Sequence, residues 1–368
     1  MGGRMLSRLR HDKLLVCALI VALFSLLLSR PKWSDINSTM LLTLFSLLLL
    51  VKIYQAMHVL DYWAIYLVKR SRHFRQLQGY LILLAFFSAM FLTNDVAIIT
   101  FVPLLLLIAT KLKFATPVPV TLITIAANLG SSFTPFGNPQ NLFLLSHYRL
   151  SIGTFFRMSA PLMLVSLLLL LSTLLFFKKT PLTLPKLKTI KVDKSPLLYL
   201  IPVTLLTFSV VFSLVPSFVA VLAVVLAALL YRPKLLSEVD YGLLLTFVSF
   251  FIAVGNIGRF APVAHFFSVL ERKEWLVYLS GLLTSQVISN VPAVVLLAKF
   301  TQQVHALFLG VNIGGIGTLL ASLANLLAYK QYRLNTNTPN DHFLRTFAII
   351  NGLFLIILGA IGYLLLQF

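Results

Sequence analysis

The chain has 368 residues, of which 59% are hydrophobic and only 11% are charged, and apolar runs recur along its whole length. This composition excludes a soluble globular domain and predicts a polytopic membrane protein in a lipid bilayer. The net charge of +20 lies in short loops between apolar runs, where the positive-inside rule accounts for it, so we expect no nucleic-acid partner.

Apolar segments predict a series of membrane crossings. In chain order they cover residues 14–29, 39–60, 117–146, 158–177, 196–213, 217–231, 241–258, 304–329 and 347–366. Segments 117–146 and 304–329 are predicted to be broken helices. The first of them contains Gly130, Pro135, Gly137 and Pro139, which make an uninterrupted helix unfavourable. A broken helix at membrane depth is tolerated only where its freed backbone groups are buried in protein or line a wet cavity.

Two further apolar segments are interrupted near their middles. Segment 80–110 is interrupted at Thr93-Asn94-Asp95, and segment 275–300 at Ser289-Asn290-Val291-Pro292. We expect each to be a re-entrant hairpin that enters and leaves on the same side of the membrane. The short hydroxyls and amides at both tips lie beside helix ends, where they can replace the hydration shell of a small ion.

One stretch of the chain is repeated later in the sequence. Residues 128–142 and 312–326 align with a shift of 184 residues, and the positions identical in both copies include Asn128 and Asn312, Gly130 and Gly314, Thr134 and Thr318, and Asn141 and Asn325. Each copy lies in one of the predicted broken helices. The repetition predicts two homologous halves.

The basic segment 178–195 separates these halves. It predicts a first repeat over residues 1–177, a cytoplasmic linker over 178–195, an extra helix over 196–213 and a second repeat over 214–368. Because the extra crossing reverses the second unit, the fold class is predicted as an all-α polytopic membrane protein, an inverted-topology repeat with two re-entrant hairpins and two broken transmembrane helices. Lysine and arginine number 21 on the expected inside and 8 on the outside, which favours a cytoplasmic N-terminus and an external C-terminus in the cell (inner) membrane.

Asp95 is the acidic residue that the sequence places deepest. The other nine lie in or beside predicted loops. An ionised aspartate at a helix centre costs about 2.5 to 3.5 kcal/mol on insertion scales, which indicates a compensating role. We expect Asp95 to bind or exchange a coupling cation, H⁺ or Na⁺. The alternative is a carboxylate that caps the second helix of the hairpin through a backbone N–H.

The remaining residues with reactive or charged side chains indicate neither catalysis nor metal binding. Lys52, in the second predicted helix, either meets an anion or extends its chain toward the basic loop nearby. Cys17 is the single cysteine, so an internal disulfide is excluded. No Ser or Cys is paired with a His at matching depth, and the spacing typical of Cys/His metal sites is absent from the sequence. We therefore expect neither an enzyme nor a resident cofactor.

The residues around both breaks resemble the ion transporter superfamily, specifically the divalent anion/sodium symporters and the membrane subunit of arsenite pumps. The symporters carry a paired Ser-Asn-Thr hairpin motif and a broken helix of the form S-I-G-G-I-G-T-x-x-G-T-P-P-N. Asn312-Ile313-Gly314-Gly315-Ile316-Gly317-Thr318 is similar to the front half of that form, and Gly137-Asn138-Pro139-Gln140-Asn141 to its end. The third hairpin residue is Asp95 in one half and Val291 in the other, where the dicarboxylate symporters have Thr; an acidic residue here is more like the arsenite and sodium/proton exchange branches.

The resemblance implies a site shared by the hairpin tips and the broken helices, and a homodimer. Together with the repeated asparagines, the expected ion and substrate ligands are Thr93, Asn94, Asp95, Asn128, Gly137, Asn138, Asn141, Ser289, Asn290, Asn312, Gly314, Thr318 and Asn325. A sodium ion is expected at Asn94, Asp95, Gly137 and Asn290. The function expected is alternating-access secondary transport of a small anion coupled to H⁺ or Na⁺. The alternatives are a cation/proton antiporter that uses Asp95 and an arsenite-type efflux permease.

Overall fold

The computed structural model describes residues 13–182, 190–267, 273–336 and 342–367, and this part of the chain is built of α-helices. In chain order the helices are α1 (Lys13–Ser25), α2 (Ser38–Ala56), α3 (Val59–Lys69), α4 (Phe74–Leu92), α5 (Asn94–Leu112), α6 (Pro117–Ser131), α7 (Pro139–His147), α8 (Ile152–Thr173), α9 (Leu197–Val211), α10 (Ser217–Tyr231), α11 (Tyr241–Gly258), α12 (Ala261–Phe267), α13 (Glu274–Ile288), α14 (Asn290–Ala298), α15 (Val304–Gly314), α16 (Leu323–Asn335) and α17 (Phe343–Leu365).

Several of these helices are membrane-spanning candidates by length and composition. Within the described ranges, six helices have at least 18 residues and high hydropathy. They are α2, α4, α5, α8, α11 and α17. At about 1.5 Å per residue, 20 apolar residues cover the roughly 30 Å hydrocarbon core. The all-helical, multi-pass character predicted from composition is confirmed.

Short polar side chains fix where the helices begin. Asn37 accepts a hydrogen bond from the Met40 N–H at the start of α2, and Asp240 accepts one from the Leu243 N–H at the start of α11. A side-chain acceptor at this position satisfies a backbone donor that has no partner within the helix. The two caps occupy corresponding places in the two halves of the chain.

Hydrogen bonds to segment 178–195 place several helix ends on one side of the molecule, which we call the linker side. The Asp193 N–H donates to the Met57 carbonyl at the end of α2, and the Tyr231 hydroxyl at the end of α10 donates to the Asp193 carboxylate. The Phe74 N–H at the start of α4 donates to the Thr180 carbonyl. The opposite face, which we call the far side, contains the hydrogen bond from Asn37 to Ser146.

The two broken helices enter from opposite sides. Thr116, just before α6, donates to the hydroxyl of Tyr332 near the end of α16. At the far side, the Tyr148 hydroxyl after α7 donates to the carbonyl of Thr301 before α15. The first broken helix therefore runs from the linker side to the far side and the second runs the other way, as an inverted-topology repeat requires.

Equivalent pairs of helices pack together in the two halves of the chain. Helix α1 packs on α11 while α10 packs on α2, and α4 packs on α6 while α13 packs on α15. Across the centre, α7 packs on α14 and α16 packs on α5. One apolar core contains residues of both halves, and the broken helices contact each other across the repeats, α6 with α16 and α7 with α15.

Some boundaries differ from the prediction. The predicted crossing 39–60 is two helices, because the chain turns at His58 in the left-handed region (φ 59°) before α3 begins. Helix α3 was predicted as loop; it carries Tyr62, Trp63 and Tyr66, whose rings pack on one another. Such aromatic, mixed-polarity helices suit the membrane–water interface.

Other helices are longer than predicted. Helix α8 begins at Ile152 because the Ser151 hydroxyl accepts from the Thr154 N–H, and α17 begins at Phe343 rather than 347. The first hairpin extends beyond 80–110, since α4 and α5 together cover 74–112 with a single interruption at Thr93. Each of its arms has 19 residues, against 15 and 9 in the second hairpin.

Candidate functional site

The hairpin tips have the same unusual backbone in both halves. Thr93 has φ 75° and ψ 152°, and Ser289 has φ 76° and ψ 153°. A non-glycine residue with positive φ is strained and persists only when its surroundings hold it. Here the Asn94 N–H donates to the Gly137 carbonyl at 3.3 Å, and the Asn290 N–H donates to the Ala321 carbonyl at 2.9 Å. Each tip therefore contacts the break of its own repeat.

The breaks are fastened to the hairpins by a second pair of equivalent bonds. The Thr134 hydroxyl donates to the Met90 carbonyl, and the Thr318 hydroxyl donates to the Gln286 carbonyl at 2.9 Å. Gln286 also receives the Thr318 N–H on its side-chain oxygen at 3.0 Å. Thr318 is exposed, whereas Thr134 is buried. In this arrangement the Thr318 hydroxyl orders the second break.

Two asparagines, one in each repeat, donate hydrogen bonds to backbone carbonyls of the breaks. The Asn141 amide donates to the carbonyls of Ser132 and Thr134 at 3.0 and 3.2 Å. In the second repeat the Asn325 amide donates to the carbonyls of Gly315 and Thr318 at 3.1 and 2.8 Å. These bonds satisfy carbonyl groups that an interrupted helix leaves without helical partners.

The same two asparagines are joined to the opposite repeat. The Asn128 amide donates to Oδ1 of Asn325 at 2.8 Å, and the Asn312 amide donates to Oδ1 of Asn141 at 2.9 Å. All four side chains are buried. A buried amide without a partner costs about 1 to 3 kcal/mol, so this reciprocal pair fixes how the two repeats meet.

Helix caps extend this polar network. Asn138 accepts from the Asn141 N–H at the start of α7 and donates to Oδ1 of Asn312 at 3.3 Å. Ser322, at the equivalent place, accepts from the Asn325 N–H and donates to Oδ1 of Asn128, also at 3.3 Å. Asn94 reaches the same network, since its amide donates to Oδ1 of Asn128 at 3.2 Å. Within the described part of the chain, the tip of the first hairpin is thus bonded to the contact between the repeats.

Glycines allow the elements to come this close. A Cβ on Gly130 would overlap the carbonyl of Phe86 on α4, and a Cβ on Gly137 would overlap the carbonyl of Ser131. A Cβ on Gly314 would come within 2.8 Å of Ser285 on α13. Gly314 therefore serves the packing of α15 on α13, while the backbone of Gly137 also contributes the carbonyl that Asn94 meets.

Asp95 occupies the first turn of α5, beside this network. Its backbone N–H donates to Oδ1 of Asn94 at 3.0 Å, and no side-chain capping bond is formed at the start of α5. Among the described residues, none donates a hydrogen bond to its half-buried carboxylate. Lys52 and Asp240 are the charged groups that act on it electrostatically. The capping alternative is therefore without support in this conformation.

The structure brings most of the expected site residues together and leaves a few apart. Asn94 and the buried asparagines of the caps and breaks form one layer between the repeats, whereas Asn290 meets the second break through its backbone N–H and the Thr318 side chain lies outside the layer. The ligand roles of all these residues stay predictions. Sequence reasoning missed Ser322 and Gln286; the 184-residue shift places Ser322 at the position of Asn138, and this was the signal available. Across the described ranges, no group of three or more His, Cys, Asp or Glu side chains has metal-binding geometry.

Comparison with known proteins identifies the family. The sequence pattern of the citrate transporter family matches residues 12–307, most of the chain. The chain belongs to the citrate transporter family. This agrees with the resemblance to ion transporter superfamily permeases that the residues around the breaks carry. It also confirms that the protein is a transporter rather than an enzyme.

Two relatives and one solved structure agree with the family. An uncharacterized transporter of Methanocaldococcus jannaschii is 33% identical over 333 residues, covering 89% of each chain. The inner membrane protein YbiR of Escherichia coli K12 is 34% identical over 304 residues, covering 79% of this chain and 78% of its own. The crystal structure of the YdaH transporter of Alcanivorax borkumensis aligns with a TM-score of 0.55 at 14% identity, covering 90% of this chain and 84% of that one. At that identity the match to YdaH supports the fold alone.

Proposed function

We propose that this citrate transporter family member is a secondary active transporter of a small anion, driven by H⁺ or Na⁺ and working by alternating access. The observation that carries the proposal is the convergence of both tips and both breaks on one polar layer between the repeats. In many secondary transporters, the site lies near the midplane where inverted repeats meet. Polar and ionisable residues inside membrane-spanning segments are rare and often mark substrate or ion pathways.

Carboxylate anions are the substrate class we propose, with citrate as the first candidate. The family's description supports this class. Backbone N–H groups at helix starts and amide donors suit an anion. The Asn138 cap of α7 and the Ser322 cap of α16 place two such helix starts at the contact between the repeats.

The coupling cation is proposed to bind at Asp95. Its carboxylate, together with the Asn94 and Asn290 side chains and the Gly137 carbonyl, offers oxygen ligands to Na⁺. Proton exchange on the same carboxylate is the other form of coupling. Asp95 also supports a second candidate function, a cation/proton antiporter in which no anion binds. An arsenite-type efflux permease remains a third substrate assignment for the same architecture.

The cellular setting follows the same lines. We propose a multi-pass protein of the cell (inner) membrane, consistent with the name of the Escherichia coli relative, YbiR. The linker side is assigned to the cytoplasm by the positive-inside rule. A homodimer is proposed from the family resemblance.

Flux measurements in proteoliposomes test the proposal. Vesicles are loaded so that a Na⁺ gradient, a pH gradient or neither is imposed, and uptake of radiolabelled citrate, succinate or arsenite is followed alongside internal pH. We expect gradient-driven accumulation of a carboxylate anion. Na⁺/H⁺ exchange that is independent of any anion would support the antiporter instead, and absence of flux with every ion would contradict both.

A further inference from the structure

A cavity of about 820 Å³ lies between α2, α3 and α5. Its lining includes Lys52 and Gln55 from α2 and Thr100 and Lys111 from α5. Asp61, the acidic residue of the lining, is bonded to His58 at 2.8 Å. With two lysines against one aspartate, the lining is net positive.

Lys52 is the unusual member of that lining. It lies inside an apolar helix and is half-buried, and in the described part of the chain it forms neither a hydrogen bond nor an ion pair. A charge at such depth is costly unless water or a counter-ion reaches it. Snorkelling toward the end of α2, four residues away, still leaves the ammonium on the cavity wall.

The cavity leads toward Asp95. Ile99, Pro103, Leu107 and Lys111 all line it and follow Asp95 at intervals of four residues along α5. Residues four apart lie on the same face of a helix. Ile99, the lining residue nearest the tip, lies about one turn from Asp95, and the lining extends from there about 18 Å along α5 to Lys111 at its linker-side end. Lys52 lines the same cavity from α2, and Asp240 and Lys52 are the charged groups that act on Asp95.

The equivalent place in the other repeat holds a much smaller cavity. Counted from the caps Asn37 and Asp240, the counterpart of Lys52 is Gly255. The cavity beside Gly255 has only about 120 Å³, and Asp35 lies against the glycine. That carboxylate is paired with Arg259 at 2.9 Å. The two halves differ in both volume and charge, because the larger cavity has two lysines against one aspartate, whereas the smaller one has Lys299 against Asp35.

We propose that this cavity is the aqueous access path for a carboxylate anion, with Lys111 at its mouth and Lys52 as the anion ligand closest to Asp95. The assignment rests on the proposed anion transport, but its readout below does not require transport. Lys52 supplies the positive charge that the asparagine layer lacks. An anion that passes from Lys52 to the asparagine layer moves beside Asp95 and its bound cation. The anion and the coupling cation then lie next to each other.

Cysteine labelling tests the path directly. The exposed Cys17 is replaced by serine, and Thr100→Cys on the cavity wall serves as reporter in protein reconstituted into nanodiscs. Two reagents of similar size are compared, the anionic sulfonatoethyl and the cationic trimethylammonioethyl methanethiosulfonate. A cleft of one charge raises the local concentration and arrival rate of its counter-ions by about tenfold or more, so we expect the anionic reagent to be strongly preferred.

Matched variants decide between outcomes. Lys52→Gln and Lys111→Gln should each reduce the ratio of anionic to cationic labelling, and the double variant should lower it by about tenfold or more. Lys113→Gln, an exposed lysine two residues along and outside the lining, should leave it unchanged. Added citrate should slow labelling in the presence of Lys52.

Three results would overturn the proposal. The first is no labelling by either reagent, which means that lipid fills the cavity. The others are a ratio of anionic to cationic labelling that is unaffected by removing both lysines, and a fall in this ratio no larger than that in Lys113→Gln. Ile99→Cys is the second reporter if Thr100→Cys does not fold. Charge-selective labelling without protection by citrate would retain the path and exclude citrate as its anion. Because labelling needs no flux, failure of transport with intact selectivity identifies an error in the proposed function alone.

Discussion

The side-chain amide of Asn128 donates a hydrogen bond of 2.8 Å to Asn325, a residue 197 positions later in the chain and in the other repeat. The equivalent bond from Asn312 to Asn141 has a length of 2.9 Å. Because Asn141 and Asn325 also bind the carbonyls of their own breaks, each break is tied to the first half of the opposite broken helix. Any movement of one repeat against the other must change these bonds.

Replacing Asn128 by alanine should destabilise the folded protein by about 1 to 3 kcal/mol, since the buried Asn325 oxygen loses its donor. Asn312→Ala should have a similar effect. Asn128→Ala combined with Asn325→Ala should cost less than the sum of the two single changes, because the residues are partners. Thermal unfolding in detergent measures this, with the exposed Asn335→Ala on α16 as control. Full additivity in the double variant would contradict the pairing.

Gly130→Ala should separate α6 from α4, because the added methyl group meets the Phe86 carbonyl, which is backbone and cannot rotate away. Overpacking of this kind costs about 1 to 3 kcal/mol or more. Gly153→Ala is the matched control, since its Cβ would have nothing within 4 Å. Its effect on unfolding should stay within about 0.5 kcal/mol. Equal melting temperatures for the two variants would show that the contact between α4 and α6 is looser than described.

Asp95→Asn should uncouple flux from the driving ion. A hydrogen bond or ion contact to a charged group contributes about 1.5 to 3 kcal/mol, so gradient-driven uptake should fall at least about tenfold. Dependence of the residual uptake on Na⁺ and pH should disappear. The control is Asp193→Asn, on the linker and remote from the asparagine layer. Unchanged ion dependence in Asp95→Asn would rule out this residue as the coupling site.

The ion pair between Arg259 and Asp35 should be important for holding α1 on α11. The guanidinium also donates to the Ser29 hydroxyl at 3.0 Å and to the Arg30 carbonyl at 2.8 Å, while the Asp35 side chain is only 6% exposed. Removing one partner of a buried pair costs about 3 to 5 kcal/mol, and the 24% exposure of Arg259 lowers that figure.

Asp35→Asn should therefore lower the melting temperature clearly, whereas Arg157→Gln, an exposed arginine on α8, should not. We also expect easier access of aqueous reagents to the far-side cavity beside Gly255. If Asp35→Asn melts with the parent protein and labelling near Gly255 stays slow, the pair does not close that cavity.

Much of the fold was accessible from the sequence because its signals are local. Apolar length locates the crossings, and Pro139 and Gly137 locate the first break. The second break has no proline, and it was identified by the 184-residue repetition and by the motif at residues 312–318. Helix α3 was missed because its apolar and polar residues are mixed, so it resembles a loop at the scale of a membrane-spanning window.

The sequence indicated which residues lie close together between the repeats, but it did not indicate how they are hydrogen-bonded; their ligand roles stay predictions. Repeated asparagines marked the right layer, but only the three-dimensional contacts show that Asn128 pairs with Asn325 rather than with its own repeat partner Asn312. Such pairing depends on the reversed orientation of the halves, which no local pattern encodes. The unusual position of Lys52 was equally hidden, since the sequence shows its distance from a helix end and not the cavity beside it.

The most direct test of the account is an experimental structure of the reconstituted protein with citrate and Na⁺ at saturating concentration. We expect anion density between the repeats, within hydrogen-bond reach of Asn290 and of the capped starts of α7 and α16, and cation density at Asp95. Anion density confined to the far-side groove lined by Asn37 and Arg149, with the asparagine layer unchanged and unoccupied, would contradict it.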